Sequence, residues 1–251
     1  MKLSIVIPAY NEESNIEKTV IAFYEKMVQE DIDHEIIVIN DNSKDKTLLV
    51  LENLQKRIST LRFITNSGLN GYGYAVRKGL MNFEGDCLAV TMADLSDDPT
   101  DLVNYFRTME KHQCDMVFGS RWMKESKVID YPKNKLLLNR FVNNFISLVF
   151  LFKYNDVTNG FKLFSRETIE GSQPFLTGQF SFALELPLKA IIRGYNYKIV
   201  PNNWYNREVG VSNLKLGKMF PRYAYIVLYC LIEKFFSMGD FKKGKFNINK
   251  I

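Results

Sequence analysis

Asp94 stands just past an apolar run, Cys87 to Met92, and Ser96, Asp97, Asp98 and Pro99 follow it. An acidic side chain at the end of a buried strand can hold a divalent cation. A cation bridging two phosphates makes a nucleoside diphosphate a good leaving group. Two other apolar runs end in the same way. Leu3 to Ile7 runs into Pro8-Ala9-Tyr10-Asn11-Glu12, and Glu35 to Ile39 into Asn40-Asp41-Asn42-Ser43. Tyr10 offers a flat face to a base, Asp41 can accept hydrogen bonds from a base or ribose, and Asn11 and Glu12 open a helix. Singly, each is an ordinary turn or cap residue, and Asp97 or Asp98 serves equally as a helix cap ahead of Pro99. The clusters carry chemistry only if the fold gathers them.

The intervening segments predict that it does. Short apolar runs separated by helix-length stretches read as parallel strands of an α/β sheet, and ligands collect beyond the carboxyl ends of such strands. Strands are expected at 3–8, 35–40, 62–65, 87–91 and 115–119. Helices are expected from Asn11 (Ile16, Val20, Phe23 and Met27 at helical spacing), from an N-cap at Ser43 to Arg57, over 70–83, and from Pro99 to His112. After Ser120 the pattern changes. Leu136 to Phe152 is a predicted helix with twelve of seventeen residues apolar and with Arg140, Asn143, Asn144 and Ser147 in one narrow stripe. Such a helix is either a core helix or one with a flank on a membrane and its stripe on a polar cavity. A helix at 182–193, a strand at 197–200 and an apolar helix from Pro221 complete the reading, with a loose tail from Gly239.

At 251 residues the chain can bury a full core. One unit is expected, with residues 1–217 as the main domain and 218–251 as an apolar helix and basic tail belonging to it. The net charge of +5 is mild and decides little between a solvated surface and an anionic partner; no nucleic-acid partner is expected. Cys87, Cys114 and Cys230 are odd in number and widely spaced, which reads as a reducing compartment without disulfides. The only histidines, His34 and His112, fall in joining segments, which disfavours a histidine base or a histidine-rich metal site. Met1-Lys2 leads directly into the first strand, so no signal peptide is expected. The longest apolar stretch, Tyr223 to Ile232, has ten residues, short of the ~20 that span a bilayer.

Together the clusters resemble family 2 glycosyltransferases. Pro8-Ala9-Tyr10-Asn11-Glu12-Glu13-Ser14-Asn15 is similar to the family's opening motif. Asn40-Asp41-Asn42-Ser43-Lys44-Asp45-Lys46-Thr47 is similar to its second, with Asn40 for the first Asp. Gly71-Tyr72-Gly73-Tyr74-Ala75 resembles its glycine-rich helix start, and Ala93-Asp94-Leu95-Ser96 the latter part of its Asp-x-Asp motif. Within the family the likeness is to dolichol- or polyprenol-phosphate sugar synthases, through Gly119-Ser120-Arg121-Trp122, Asn139 to Asn143, Asp156 to Lys162, and Arg207 with Gly210 and Ser212. The resemblance covers residues 1–215. It implies a GT-A fold and an inverting transfer of sugar from a nucleotide-diphosphate sugar (GDP- or UDP-linked) to a polyprenyl phosphate, with Mg²⁺ or Mn²⁺ as cofactor.

Carried onto this chain, the resemblance places Pro8, Tyr10, Glu12, Asp41, Gly73, Ala93 and Asp94 at the donor, with Arg207 and Ser212 closing over its diphosphate. Asp94 and Ser96 become metal ligands, and Arg121, Arg140 and Asn143 hold the acceptor phosphate. A polyprenyl phosphate is already an anionic nucleophile, which agrees with the scarcity of histidine. It also implies a peripheral site on the cytoplasmic face of a membrane, aided by Lys133, Lys135 and Lys153; a homodimer or a membrane-protein partner is the alternative cover for the apolar helices. Two departures stand out. Met92 replaces the first Asp of the metal motif, and Asn213 replaces a Lys found in many relatives. A Rossmann dehydrogenase is disfavoured because no Gly-x-Gly-x-x-Gly follows the first strand. Two rivals remain: a non-catalytic nucleotide-sugar-binding subunit, and transfer to a polysaccharide or glycolipid hydroxyl, for which Asp156 or Glu185 is the candidate base.

Overall fold

The computed structural model describes residues 1–206 and 216–245. Its strands are β1 (Leu3–Ala9), β2 (His34–Asn40), β3 (Leu61–Thr65), β4 (Cys87–Val90), β5 (Met116–Ser120), β6 (Val128–Ile129), β7 (Lys162–Ser165), β8 (Tyr197–Pro201) and β9 (Trp204–Tyr205). The helices are α1 (Ile16–Gln29), α2 (Thr47–Gln55), α3 (Tyr72–Leu80), α4 (Pro99–His112), α5 (Lys133–Phe150), α6 (Arg166–Gly171), α7 (Phe182–Arg193) and α8 (Leu216–Phe236). A seven-stranded sheet runs in the order β3-β2-β1-β4-β7-β5-β8, parallel except for β7, which pairs antiparallel with both β4 and β5. β6 and β9 form a separate two-stranded ribbon.

Both faces of the sheet are covered, so its strands are apolar on both sides. Ile5, Ile7, Ile36 and Val38 face one core, with residues of α1, α2 and α4. Val6, Ile37 and Ile39 face the other, with residues of α3, α5, α7 and α8. The chain builds outward through β1, β2 and β3, then crosses to start β4 on the other side of β1. That reversal is the switch point where the carboxyl ends of neighbouring strands diverge and leave a crevice. The ends of β1 and β4 flank it, carrying Pro8-Ala9-Tyr10 and Asp94.

The first half follows the sequence pattern, with shifted helix starts. α1 begins at Ile16 rather than Asn11, because residues 11–15 form a loop with Asn11 at positive φ. Ser43 does not cap α2: its hydroxyl accepts from the Asn11 amide, the N-cap position is Lys46, and Asp45 just before it accepts from the Thr47 amide. Asp98 does cap α4, with Pro99 in the first turn. α3 is shorter than 70–83, and α8 begins before Pro221, which lies inside it. His34 is not in a connection but opens β2, and His112 ends α4.

The second half contains what the pattern concealed. β7 is four residues long and carries Lys162, so no alternation marks it as a strand. The tail is not loose as far as it is described. The Lys243 amide donates to the Arg193 carbonyl (2.8 Å), and its ammonium pairs with Asp115 (2.7 Å).

On α5, Asn143 is turned inward together with Ile146 and Phe150, and several of its other apolar residues are turned outward. Asn143 is wholly buried, while Leu137, Phe141, Phe145 and Leu148 are exposed, Phe141 at 70%. Asn144 departs from the stripe and faces solvent. On α8, Tyr225, Leu228, Ile232 and Phe235 are exposed as well. Exposed apolar residues thus lie on both of these helices.

Candidate active site

The loops after β1 and β2 hold each other. The Asn11 amide donates to Ser43 Oγ (3.0 Å), while Asn11 Oδ1 accepts from the Lys44 amide (2.7 Å). The Glu13 amide donates to Asp45 (3.1 Å), Glu13 accepts from the Lys46 amide (2.7 Å), and the Glu12 amide donates to Thr47 Oγ1 (2.9 Å). Much of the two opening motifs is therefore bracing. It leaves Pro8, Tyr10, Glu12 and Asp41 to line one cavity of about 670 Å³. Asp41 is buried, with one oxygen accepting from Asn66 Nδ2 (2.7 Å) and the other from the Gly71 amide (2.7 Å). This ties the glycine-rich turn to the end of β2, and each oxygen keeps a second lone pair for a ligand.

Across the switch point, Asp94, Ser96 and Asp97 line the same cavity. Leu95 between them is at positive φ (55°), a costly conformation for a residue with a Cβ that makes a sharp reversal. The Ser96 amide donates to Asp94 Oδ1 (3.2 Å). Asp97 is buried and accepts from Thr91 Oγ1 and the Met92 amide, both at 3.1 Å. Burial first, and the charge of Asp94 second, push its carboxyl up to about 7.

As a resident metal centre the donor set is thin: no three His, Cys, Asp or Glu among the described residues could hold an ion together. Met92 lines the cavity but supplies no oxygen. One carboxylate plus a hydroxyl does fit an Mg²⁺-type ion that arrives with a diphosphate, since such ions take few protein ligands and fill the rest with phosphate and water.

Several expected ligand contacts are placed otherwise. Ala93 is buried away from the cavity, its carbonyl accepting from Thr19 Oγ1 (2.8 Å). Gly73 is also outside the cavity wall; a Cβ there would come within 2.6 Å of the Gly178 backbone, so its role is close packing. Arg121 reaches the cavity but is 9% exposed and gripped by Asp156 through its amide (3.0 Å), Nε (2.8 Å) and Nη2 (2.7 Å). Burial works against its charge, yet Asp156 outweighs it and holds the guanidinium above its ordinary value. Asn143 spends its amide on Asn139 and Thr158 and so positions Thr158, a cavity residue, instead of facing a ligand itself. Arg140 is not in the cavity wall. It stacks over Trp122 (5.4 Å), and its Nη1 is buried without a hydrogen-bond partner among the described residues.

Neither candidate base is free. Asp156 is committed to Arg121. Glu185, wholly buried, accepts from the amides of Leu176 and Thr177 and pairs with Lys189 (2.9 Å). Arg207 and Ser212, with Asn213 and the side chain of Lys133, lie outside the described residues. Sequence reasoning missed cavity residues on later elements: Lys135 of α5, Met219, Arg222 and Tyr223 of α8, Trp204 of β9, and Gln179 and Phe180 before α7. From sequence, Lys135 is expected at the membrane side and Arg222 and Tyr223 in an apolar helix, with nothing to aim them at the cavity; Met219, Trp204, Gln179 and Phe180 belong to no run or periodicity.

A doubly wound sheet with carboxylates on both sides of its switch point and an open cavity between them is a GT-A fold. Residues 4–171 match Glycosyl transferase family 2, and the chain belongs to that family. It is 28% identical over 230 residues to a dolichol-phosphate mannosyltransferase of Pyrococcus furiosus, covering 90% of this chain and 63% of that one. It is 24% identical over 221 residues to a polyprenol monophosphomannose synthase of Mycolicibacterium smegmatis, covering 84% and 80%. The fold matches glucosyl-3-phosphoglycerate synthase from Mycobacterium tuberculosis, solved with Mn²⁺, UDP and phosphoglyceric acid, at a TM-score of 0.67 and 19% identity over 93% of this chain and 78% of that one.

Asp97 makes the stability of the fold depend on pH. Its folded value of about 7 lies above the ordinary 3.8, so between these the folded chain binds a proton that the unfolded chain has lost. Its contribution to the free energy of unfolding therefore falls as pH rises through that window, by an amount on the order of 4 kcal/mol. Asp97→Asn removes most of the fall, leaving the smaller part from Asp101, which burial pushes up to about 6. Urea unfolding of parent and variant across this pH range checks it; parallel curves contradict it.

Proposed function

We propose that the chain transfers a sugar with inversion from a nucleotide-diphosphate sugar to a polyprenyl phosphate at a membrane surface. The observation that carries the reading is the cavity itself. Carboxylates of the β1, β2 and β4 ends form one side, and α5 and α8, whose outer faces are apolar, contribute to the other. A donor that is polar throughout and an acceptor that is a phosphate on an apolar chain suit those two sides. The relatives named for dolichol phosphate and polyprenol support the acceptor class. The chain spans 63% of the length of the first of these.

In this reading Tyr10 and Asp41 hold the nucleoside, and Asp94 with Ser96 faces the diphosphate. Mg²⁺ or Mn²⁺, when bound there, neutralises the departing diphosphate. A phosphate oxygen of the acceptor attacks the sugar's anomeric carbon from the face opposite the leaving group. The bond to the nucleoside diphosphate breaks as the new one forms, and the configuration inverts. The attacking oxygen carries no proton at neutral pH, so no general base is required. The commitment of Asp156 and Glu185 to buried partners favours this over transfer to a hydroxyl, which would need one. Lys135 at the cavity wall supplies positive charge for the acceptor phosphate.

Among the described residues no helix is long and apolar enough to cross a membrane. In this reading the described residues attach peripherally, with the exposed Phe141, Phe145, Leu148, Leu228 and Ile232 entering the headgroup boundary.

Two measurements test this. With a nucleotide sugar, a polyprenyl phosphate and Mn²⁺, Asp94→Asn should lower kcat/KM at least about a thousandfold while the unfolding midpoint stays put. A variant within a few-fold of the parent contradicts the role of Asp94. In flotation with anionic liposomes at low salt, the parent should rise with the vesicles, and Phe141→Glu combined with Leu148→Glu should stay behind. A parent that remains in the aqueous fraction as a dimer overturns the membrane reading.

A further inference from the structure

The wall facing Asp41 and Gly71 comes from the turn that precedes α7, a segment with no motif and no periodicity. Buried Glu185 anchors that turn through the Leu176 and Thr177 amides (2.6 and 2.8 Å). The turn then presses onto the glycine-rich start of α3. The Tyr74 amide donates to the Gly178 carbonyl (3.2 Å), and Phe180 stacks on Tyr72 with ring centroids 4.8 Å apart. Gly71 has φ +146°, and a Cβ there would lie 2.4 Å from Gln179 Nε2, so the glycine is what allows the carboxamide to sit directly over the turn. Gln179 Nε2 donates to the Asn70 carbonyl (3.3 Å). The Gly71 amide in turn binds Asp41. The Gln179 amide, Asn70, Gly71 and the Asp41 carboxylate are thus one continuous polar wall.

We infer that Gln179 is a specificity-determining residue that reads the nucleoside end of the donor, an inference that rests on the nucleotide-sugar reading above. One Nε2 hydrogen goes to the Asn70 carbonyl, which orients the group and leaves Oε1 as an acceptor and the second Nε2 hydrogen as a donor, on the same cavity wall as the free lone pairs of Asp41. The wall is therefore rich in acceptors. Its acceptors, Asp41 and Gln179 Oε1, outnumber its one remaining Gln179 N–H donor, so it favours a nucleoside whose N–H or O–H groups face Asp41 and whose pattern matches the Gln179 carboxamide. Selectivity among nucleosides is then set jointly by a β2 residue and by a turn that packs against it from 138 positions further along the chain.

Calorimetric titration of the full chain with UDP, GDP, CDP, dTDP and inorganic pyrophosphate, each with Mn²⁺, tests this on the parent, Gln179→Leu and Gln179→Ala. The two variants both remove the acceptor but differ in bulk, and their thermal midpoints report on the fold. Both should bind the preferred nucleotide roughly tenfold more weakly, bind pyrophosphate as the parent does, and lose most of the preference among bases. An unchanged order of preference overturns the inference. So does an equal loss for pyrophosphate and every nucleotide, which would mean that the turn has only loosened. A parent that binds none of the nucleotides is a different result: the donor reading itself falls, and the role of Gln179 with it.

Discussion

The site depends on the mutual bracing of the loops that follow β1 and β2. Both must reverse sharply at the edge of the sheet, with Asn11 at φ 55° and Asn42 at φ 61°, and both carry backbone groups with no strand or helix to satisfy them. Each loop uses the other's side chains as partners, so neither is ordered alone. Because Asn11, Glu13, Ser43, Asp45 and Thr47 absorb those backbone groups, Tyr10, Glu12 and Asp41 are left facing the cavity. Asp41 passes the constraint on to the glycine-rich turn, and that turn is packed in place by Gly178 and Gln179.

Buried charge does the corresponding work on the other side of the sheet. Arg121–Asp156, Lys189–Glu185 and Arg193–Glu233 are each almost wholly excluded from solvent. Ion pairs so buried gain little net stability, but removing one partner is severe because the other is stranded. Each joins segments distant along the chain or fixes a turn: β5 to the loop before β7, α7 to the turn over α3, and α7 to α8. Arg121, Asp156 and Glu185 are thus each held by a buried partner, and Arg121 still lines the cavity.

The alternation of strand and helix through β5 was legible because apolar runs report burial directly, and with it came the edge on which Tyr10, Asp41 and Asp94 meet. Residues whose partners lie far away in sequence were not. Nothing near Arg121 says that Asp156 will occupy it, and nothing near Gly73 says that the backbone of Gly178 will lie against it. The stripe on α5 was visible as a period, but its direction was not: the helix turns Asn143 inward beside Ile146 and Phe150 and leaves Phe141 outside, and the bonds of Asn143 to Thr158 show this. β7 was hidden because four residues including a lysine make no pattern, although Lys162 is buried and held by the carbonyls of Val157, Asn159 and Ala183.

The central claim is that one cavity holds a nucleotide sugar with its nucleoside at the β1 and β2 ends and its diphosphate at the β4 end. A crystal structure of the chain with its preferred nucleoside diphosphate and Mn²⁺ measures this directly. The account predicts the nucleoside between Tyr10, Asp41 and Gln179, with the diphosphate at Asp94. A nucleotide bound outside this cavity, or one whose diphosphate lies away from Asp94, would contradict it.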